Sequence, residues 1–283
     1  MLKRTHSLIV IIALVFLSGC SPLNLLNATV SSDGYQASEN HTYGIHPRQK
    51  LDIHIPTKIK KNADVLIFYY GGRWQYGNKE LYRFVADAFT SKGIVTVIPD
   101  YRVYPEADWP DFIQDGADAY AWTYANIEKY GGKPGRIFVM GHSAGAHISA
   151  MVALNEDLLD PVVKRPCGFI GLAGPYDFLP IDQDDIKQVF GTASNLDLTQ
   201  PINFVGVDEP AMLLLHGSSD TTVKPGNSKR LARKMSQFSG KAILKLYKDV
   251  DHSDILVSLS STFRSSNPSL DDSVKFIEET SCH

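Results

Sequence analysis

The sequence predicts an α/β chain built on a mostly parallel sheet, and three observations predict it. From residue 43 onward, short apolar and β-branched runs alternate with longer amphipathic segments, the order that βαβ units produce. Most of these runs are apolar throughout, as expected of strands covered on both faces. One run, Ile137 to Met140, leads through a glycine-bounded turn straight into a helix-permissive segment.

The elements follow in order. Leu51 to Ile55 alternates with period two and predicts a half-exposed outer strand. Continuous strands are predicted at 65–70, 94–98, 137–140, 169–173, 212–216 and 243–247. Helices are predicted at 79–91, 111–130, 144–154, 227–238 and 271–280, with Gly131 and Gly132 stopping the second. The Pro- and Asp-rich stretch 176–209 is the least periodic part of the body. It is expected to cover a site or an edge, because no linker divides the chain there.

Twenty-eight Lys plus Arg stand against 31 Asp plus Glu, a formal net charge of -3 in 283 residues. No excess positive field exists to hold a polyanion, so nucleic acid is not an expected partner. Lys3, Arg4 and His6 precede an apolar run from Leu8 to Leu17 that is shorter than the roughly 20 residues a spanning helix needs. This reads as a secretory signal. It ends in Leu17-Ser18-Gly19-Cys20, which resembles the bacterial lipobox, in which the cysteine is lipidated and becomes the new N-terminus.

That resemblance implies a signal peptide over 1–19, a lipidated tether over 20–42 and a catalytic body over 43–283. It also implies attachment to a membrane through lipid on Cys20. Ser21, rather than Asp, after the cysteine implies the outer membrane, facing the periplasm, in a Gram-negative cell. Cys167 and Cys282 are then left in an oxidising compartment. They stand there as a disulfide or as separate thiols, since spacing does not decide whether their Cα atoms come within bonding reach. Oligomeric state is left open.

The glycine-bounded turn is Gly141-His142-Ser143-Ala144-Gly145, a GxSxG sequence in a strand-turn-helix context. The glycines allow a sharp turn that exposes Ser143 at a helix N-terminus. Its hydroxyl is protonated at neutral pH, so it needs a base, and the base needs an orienting acid. Asp220 follows the strand 212–216, and His252 follows the strand 243–247. Both loops open on the same rim as Ser143, because parallel strands share a C-terminal edge.

The order Ser143, Asp220, His252 resembles the α/β-hydrolase superfamily. Within it the sequence is similar to the esterase and arylformamidase-like group, including bifunctional feruloyl and acetyl xylan esterases. The resemblance implies a mostly parallel central sheet of about eight strands with helices on both faces. It also implies an oxyanion loop at Tyr70-Gly71-Gly72-Arg73-Trp74, with amide donors from Gly71, Gly72 and Ala144. The family has His where Tyr70 stands, and a tyrosine hydroxyl could take over its bracing bond. The implied activity is hydrolysis of short-chain or aromatic carboxylic esters through an acyl-enzyme. An amidase or peptidase would share the triad, and a non-catalytic envelope binding protein would share the scaffold.

Asp249 and Asp251 compete with Asp220 as the orienting acid but sit close to His252 in sequence. His142, His147 and His216 are expected as packed or hydrogen-bonded side chains. Asp100, Tyr101 and Arg102 are expected to brace the oxyanion loop from below, and Trp74, Trp109 and Tyr176 are candidates for an acyl or aryl pocket. Neither a metal-ligand spacing nor a phosphate-binding glycine loop is present, so no metal and no cofactor are expected.

Overall fold

The apolar runs assemble into one eight-stranded sheet. The computed structural model describes residues 22–30 and 32–282, so the expected signal segment and Cys20 lie outside the described residues. The chain forms α1 (Pro22–Asn27), β1 (Tyr35–Thr42), β2 (Lys50–Pro56), β3 (Ala63–Tyr69), α2 (Arg83–Thr90), β4 (Val95–Pro99) and α3 (Asp111–Asn126). It continues through β5 (Gly132–His142), α4 (Ala144–Leu154), β6 (Gly168–Leu172), α5 (Asp184–Val189) and β7 (Ala211–Gly217). The last elements are α6 (Gly226–Gln237), β8 (Ala242–Tyr247), α7 (Asp254–Val257) and α8 (Ser269–Glu279).

In space the strands run β1-β2-β4-β3-β5-β6-β7-β8. β2 is antiparallel to both of its neighbours, and the remaining pairs are parallel. Every residue of β4 and β6 is buried, which requires cover on both faces of the sheet. The parallel register sets Tyr69 beside Gly141, and Gly217 beside Tyr247. The C-terminal ends of β3, β5, β7 and β8 therefore meet along one rim.

The N-terminal boundary differs from the expected tether over 20–42. The sheet already includes β1, and α1 docks against the body through the buried Leu26. The Asn27 side chain accepts from the Phe84 amide at 3.1 Å and donates to the Glu80 carbonyl at 2.7 Å. β1 gave no apolar signal because it is an edge strand on which only Tyr35 is buried.

The outer position expected for 51–55 accordingly belongs to β1. Asp52 and His54, whose polarity suggested exposure, are buried. Asp52 meets the buried Lys79 ammonium at 2.9 Å, and His54 stands edge-on to the Tyr35 ring at 5.1 Å. The stretch 176–209 folds into α5 and two 3₁₀ turns, Leu196–Thr199 and Pro201–Phe204.

Cys167, just before β6, and Cys282, after α8, form a disulfide with Cα atoms 4.9 Å apart. Arg136 on β5 reinforces the same junction, donating to the carbonyls of Ile277 and Thr280 at 2.8 and 2.6 Å. A cation there satisfies the free carbonyls at the end of α8. Because the bond closes a separation of 115 residues, the C282S substitution should cost about 2–5 kcal/mol. Urea unfolding of oxidised wild type against C282S checks this, with a lower midpoint expected for the variant.

Candidate active site

β5 delivers Ser143 to the rim through a strained turn. Ser143 has φ 55° and ψ -123°, and its amide donates to the Leu172 carbonyl at 3.0 Å. A non-glycine residue holds such dihedrals only where its surroundings enforce them. Here the enforcing contact is at Gly145, where an added Cβ would lie 2.0 Å from the Tyr69 carbonyl oxygen and 2.4 Å from that of Tyr70. The first turn of α4 is thus pressed onto the end of β3.

The loop after β3 lies over this turn. A Cβ on Gly71 would be 3.1 Å from the Ser143 Cβ, and Gly72 takes φ 132°, a conformation that other residues rarely adopt. Tyr70 supports the loop from below. Its hydroxyl donates to Asp100 Oδ1 at 2.7 Å and accepts from Arg48 Nη2 at 3.0 Å, while its ring stacks on Tyr82 and Tyr101. Tyr101 donates its hydroxyl to the Tyr70 carbonyl at 2.7 Å. Arg102 turns away and pairs with the buried Asp115 at 2.8 Å.

Asp220 and His252 meet at the ends of β7 and β8. Asp220 Oδ2 accepts from His252 Nδ1 at 2.7 Å, and Oδ1 accepts from the Thr222 and Val223 amides, each at 2.9 Å. His216 Nε2 also lies 3.2 Å from Oδ2 while donating to the Val223 carbonyl at 2.7 Å. Burial alone would raise the carboxyl, but the contacts with His216 and His252 outweigh it and hold the group well below the usual carboxylate range. An ionised Asp220 requires the proton of neutral His252 on Nδ1, which leaves Nε2 as an acceptor.

The competing carboxylates make no contact of this kind. Asp251 Oδ1 accepts from the Ser253 and Asp254 amides, and Asp249 is exposed. His147 donates from Nε2 to the Thr199 carbonyl at 2.8 Å and accepts from Trp74 Nε1 at 3.3 Å, so it supports Trp74 from behind. Tyr176 is fully buried and Trp109 packs on Phe112 and Phe190, which leaves Trp74 as the pocket aromatic of the three.

A cleft of about 400 Å³ opens at Ser143 and Ala144. Its lining includes the apolar Trp74, Phe178 and Ile186 and the polar Thr222, Lys224 and Arg230. Several contacts fix the cover, the His147 bond to Thr199 among them. Arg73 Nε donates to Asp185 on α5 at 3.0 Å, and the buried Asn227 Oδ1 accepts from the Tyr176 and Asp177 amides, each at 2.9 Å. Among the described residues no group of three or more His, Cys, Asp or Glu is placed to hold a metal ion.

The model of the BD-FAE family matches residues 51–235. The chain belongs to the BD-FAE family. That span includes the oxyanion-type loop, the elbow and Asp220. This BD-FAE chain is 27% identical over 248 residues to isoprenylcysteine alpha-carbonyl methylesterase ICME of Arabidopsis thaliana, covering 78% of the chain and 58% of that relative. It is 32% identical over 212 residues to esterase LipC of Mycobacterium tuberculosis, covering 64% of the chain and 50% of the relative. The chain therefore spans little more than half the length of such relatives. A truncated carbohydrate esterase from gut microbiota shares the fold, with TM-score 0.75 at 21% identity over 88% of this chain and 98% of that one.

Two contributors, Arg48 and Asn227, carried no functional signal in the sequence, and His216 carried only a trace, its place four residues before Asp220 at a strand end. Burial also makes the histidines an acid liability. It lowers His54 and His147 to about 4, and burial together with the nearby His252 lowers His142 to about 3. All three are neutral in the fold, whereas in the unfolded chain they bind protons below about pH 6.5. Stability should therefore fall as pH drops from about 6.5 toward 4. Urea midpoints at pH 7 and pH 5 test this, and the lower one is expected at pH 5.

Proposed function

We propose that this chain is a serine carboxylesterase in which Ser143 is the nucleophile, His252 the base and Asp220 the orienting acid. The observation that carries this reading is the 2.7 Å contact of Asp220 with His252 Nδ1, on the rim where Ser143 faces the cleft in a strained turn. With Nδ1–H fixed on the carboxylate, Nε2 takes the Ser143 proton as its oxygen attacks the acyl carbonyl. The imidazolium then protonates the leaving alcohol. Water, deprotonated by the same nitrogen, releases the acid from the acyl-enzyme. The Gly71–Gly72 loop and the Ala144 amide stabilise the oxyanion, each donor contributing about 2.7–4 kcal/mol.

The substrate class is a short-chain or aromatic carboxylic ester. Trp74, Phe178 and Ile186 in the cleft lining suit its acyl part, and Thr222, Lys224 and Arg230 in the same lining suit a polar alcohol part. The short apolar run and Leu17-Ser18-Gly19-Cys20 support secretion, lipid attachment at Cys20 and residence in the cell envelope, at the outer membrane in a Gram-negative cell. The Cys167–Cys282 disulfide suits that oxidising compartment.

S143A should lower p-nitrophenyl acetate turnover by about 10³-fold or more. D220N should lower kcat by about 10⁴-fold through the wrong imidazole tautomer. S143A should unfold at the wild-type midpoint, whereas D220N should unfold at a lower one, because the amide loses the charge-assisted bonds of the buried carboxylate. Retained turnover in S143A would overturn the assignment, and faster turnover of an N-formyl aromatic amine than of the ester would move the activity to an amidase.

A further inference from the structure

The proposed nucleophile and base stand on strands that are not neighbours. β6 and β7 separate β5 from β8, which puts roughly 14 Å between the two strand axes. The loop carrying His252 is anchored to β7 by the Ser219 amide, which donates to the Val250 carbonyl at 3.0 Å, and by the Asp220 carboxylate. These contacts fix the imidazole to its acid. They do not fix it to the serine.

A single side chain crosses that gap. His142, immediately before Ser143, donates from Nε2 to the backbone carbonyl of His252 at 2.9 Å, and the two rings lie 4.8 Å apart. Among the described residues this is the one side-chain hydrogen bond between the elbow and the base loop. On its other edge His142 Nδ1 lies 3.1 Å from where a Gly71 Cβ would sit. The buried imidazole thus touches the oxyanion loop, holds the base loop and is covalently next to the nucleophile.

Resting on the reading of Ser143 and His252 as nucleophile and base, we infer that His142 is a positioning residue that sets their separation. It acts through the His252 backbone and touches neither substrate nor the transferred proton. Its neutrality is part of the role. His252 becomes positive during acyl transfer, and a second cation 4.8 Å away would oppose that charge. As a neutral donor, His142 restrains the loop without that penalty.

The test compares H142L, which fills the space without a donor, with H142Q, whose amide reaches a similar distance. Misplacement of a reacting group by about 1 Å can cost about 10²-fold. H142L should therefore lose about 10- to 100-fold in kcat on p-nitrophenyl acetate with KM changed by less than about threefold, and H142Q should recover most of the loss. H142N keeps polarity but shortens the reach, and it carries the same prediction if H142L folds poorly. Wild-type kcat in H142L or H142N overturns the inference, as does an H142Q as impaired as H142L at an unchanged melting temperature. An active S143A would instead overturn the underlying triad reading, so the two failures are distinguishable.

Discussion

The carboxylate of Asp220 is the fixed point from which the site is built. It is buried at the end of β7, and three donors hold it, two backbone amides and His252, with His216 Nε2 alongside at 3.2 Å. Hydrogen bonds to a charged group contribute about 1.5–3 kcal/mol each, enough together to keep a buried carboxylate ionised. Everything downstream follows from that charge. It sets the tautomer of His252, and the tautomer leaves Nε2 as an acceptor on the rim that Ser143 shares.

The rest of the architecture brings the serine and the proposed oxyanion loop to that pair. The close approach at Gly145 holds Ser143 in its strained turn, and the same contact presses α4 against the strand from which the oxyanion loop departs. Tyr70 braces the loop. Its hydroxyl sits between Asp100 and Arg48, so the loop is tied to β4 and to the β1–β2 connection together. Arg73 then joins the loop to the cover over the cleft through Asp185. The cover and the oxyanion loop are thereby linked, and movement of one bears on the other.

Much of this was legible in the sequence because it is local. The strand-turn-helix around Ser143 is contiguous, the apolar strands are continuous, and Asp220 and His252 each follow a strand at the predicted rim. What was not legible depends on pairing across the fold. β1 is polar because it has one neighbour and an open face, so nothing in its composition separated it from a tether. Asp52 and His54 suggested an exposed strand, yet both are buried, Asp52 paired with Lys79 and His54 packed edge-on against the Tyr35 ring. Arg48 and Asn227 act through backbone carbonyls or amides far away in the chain, and no spacing rule finds such contacts.

The central claim is that Ser143 alone is activated, and that its activation comes from His252. Intact-protein mass spectrometry with peptide mapping, after treatment with diethyl p-nitrophenyl phosphate, tests it most directly. One diethylphosphoryl group on Ser143 in the wild type, formed far more slowly when His252 is replaced by Ala, is the predicted result. A label on another residue, or equal labelling of Ser143 without His252, would contradict the account.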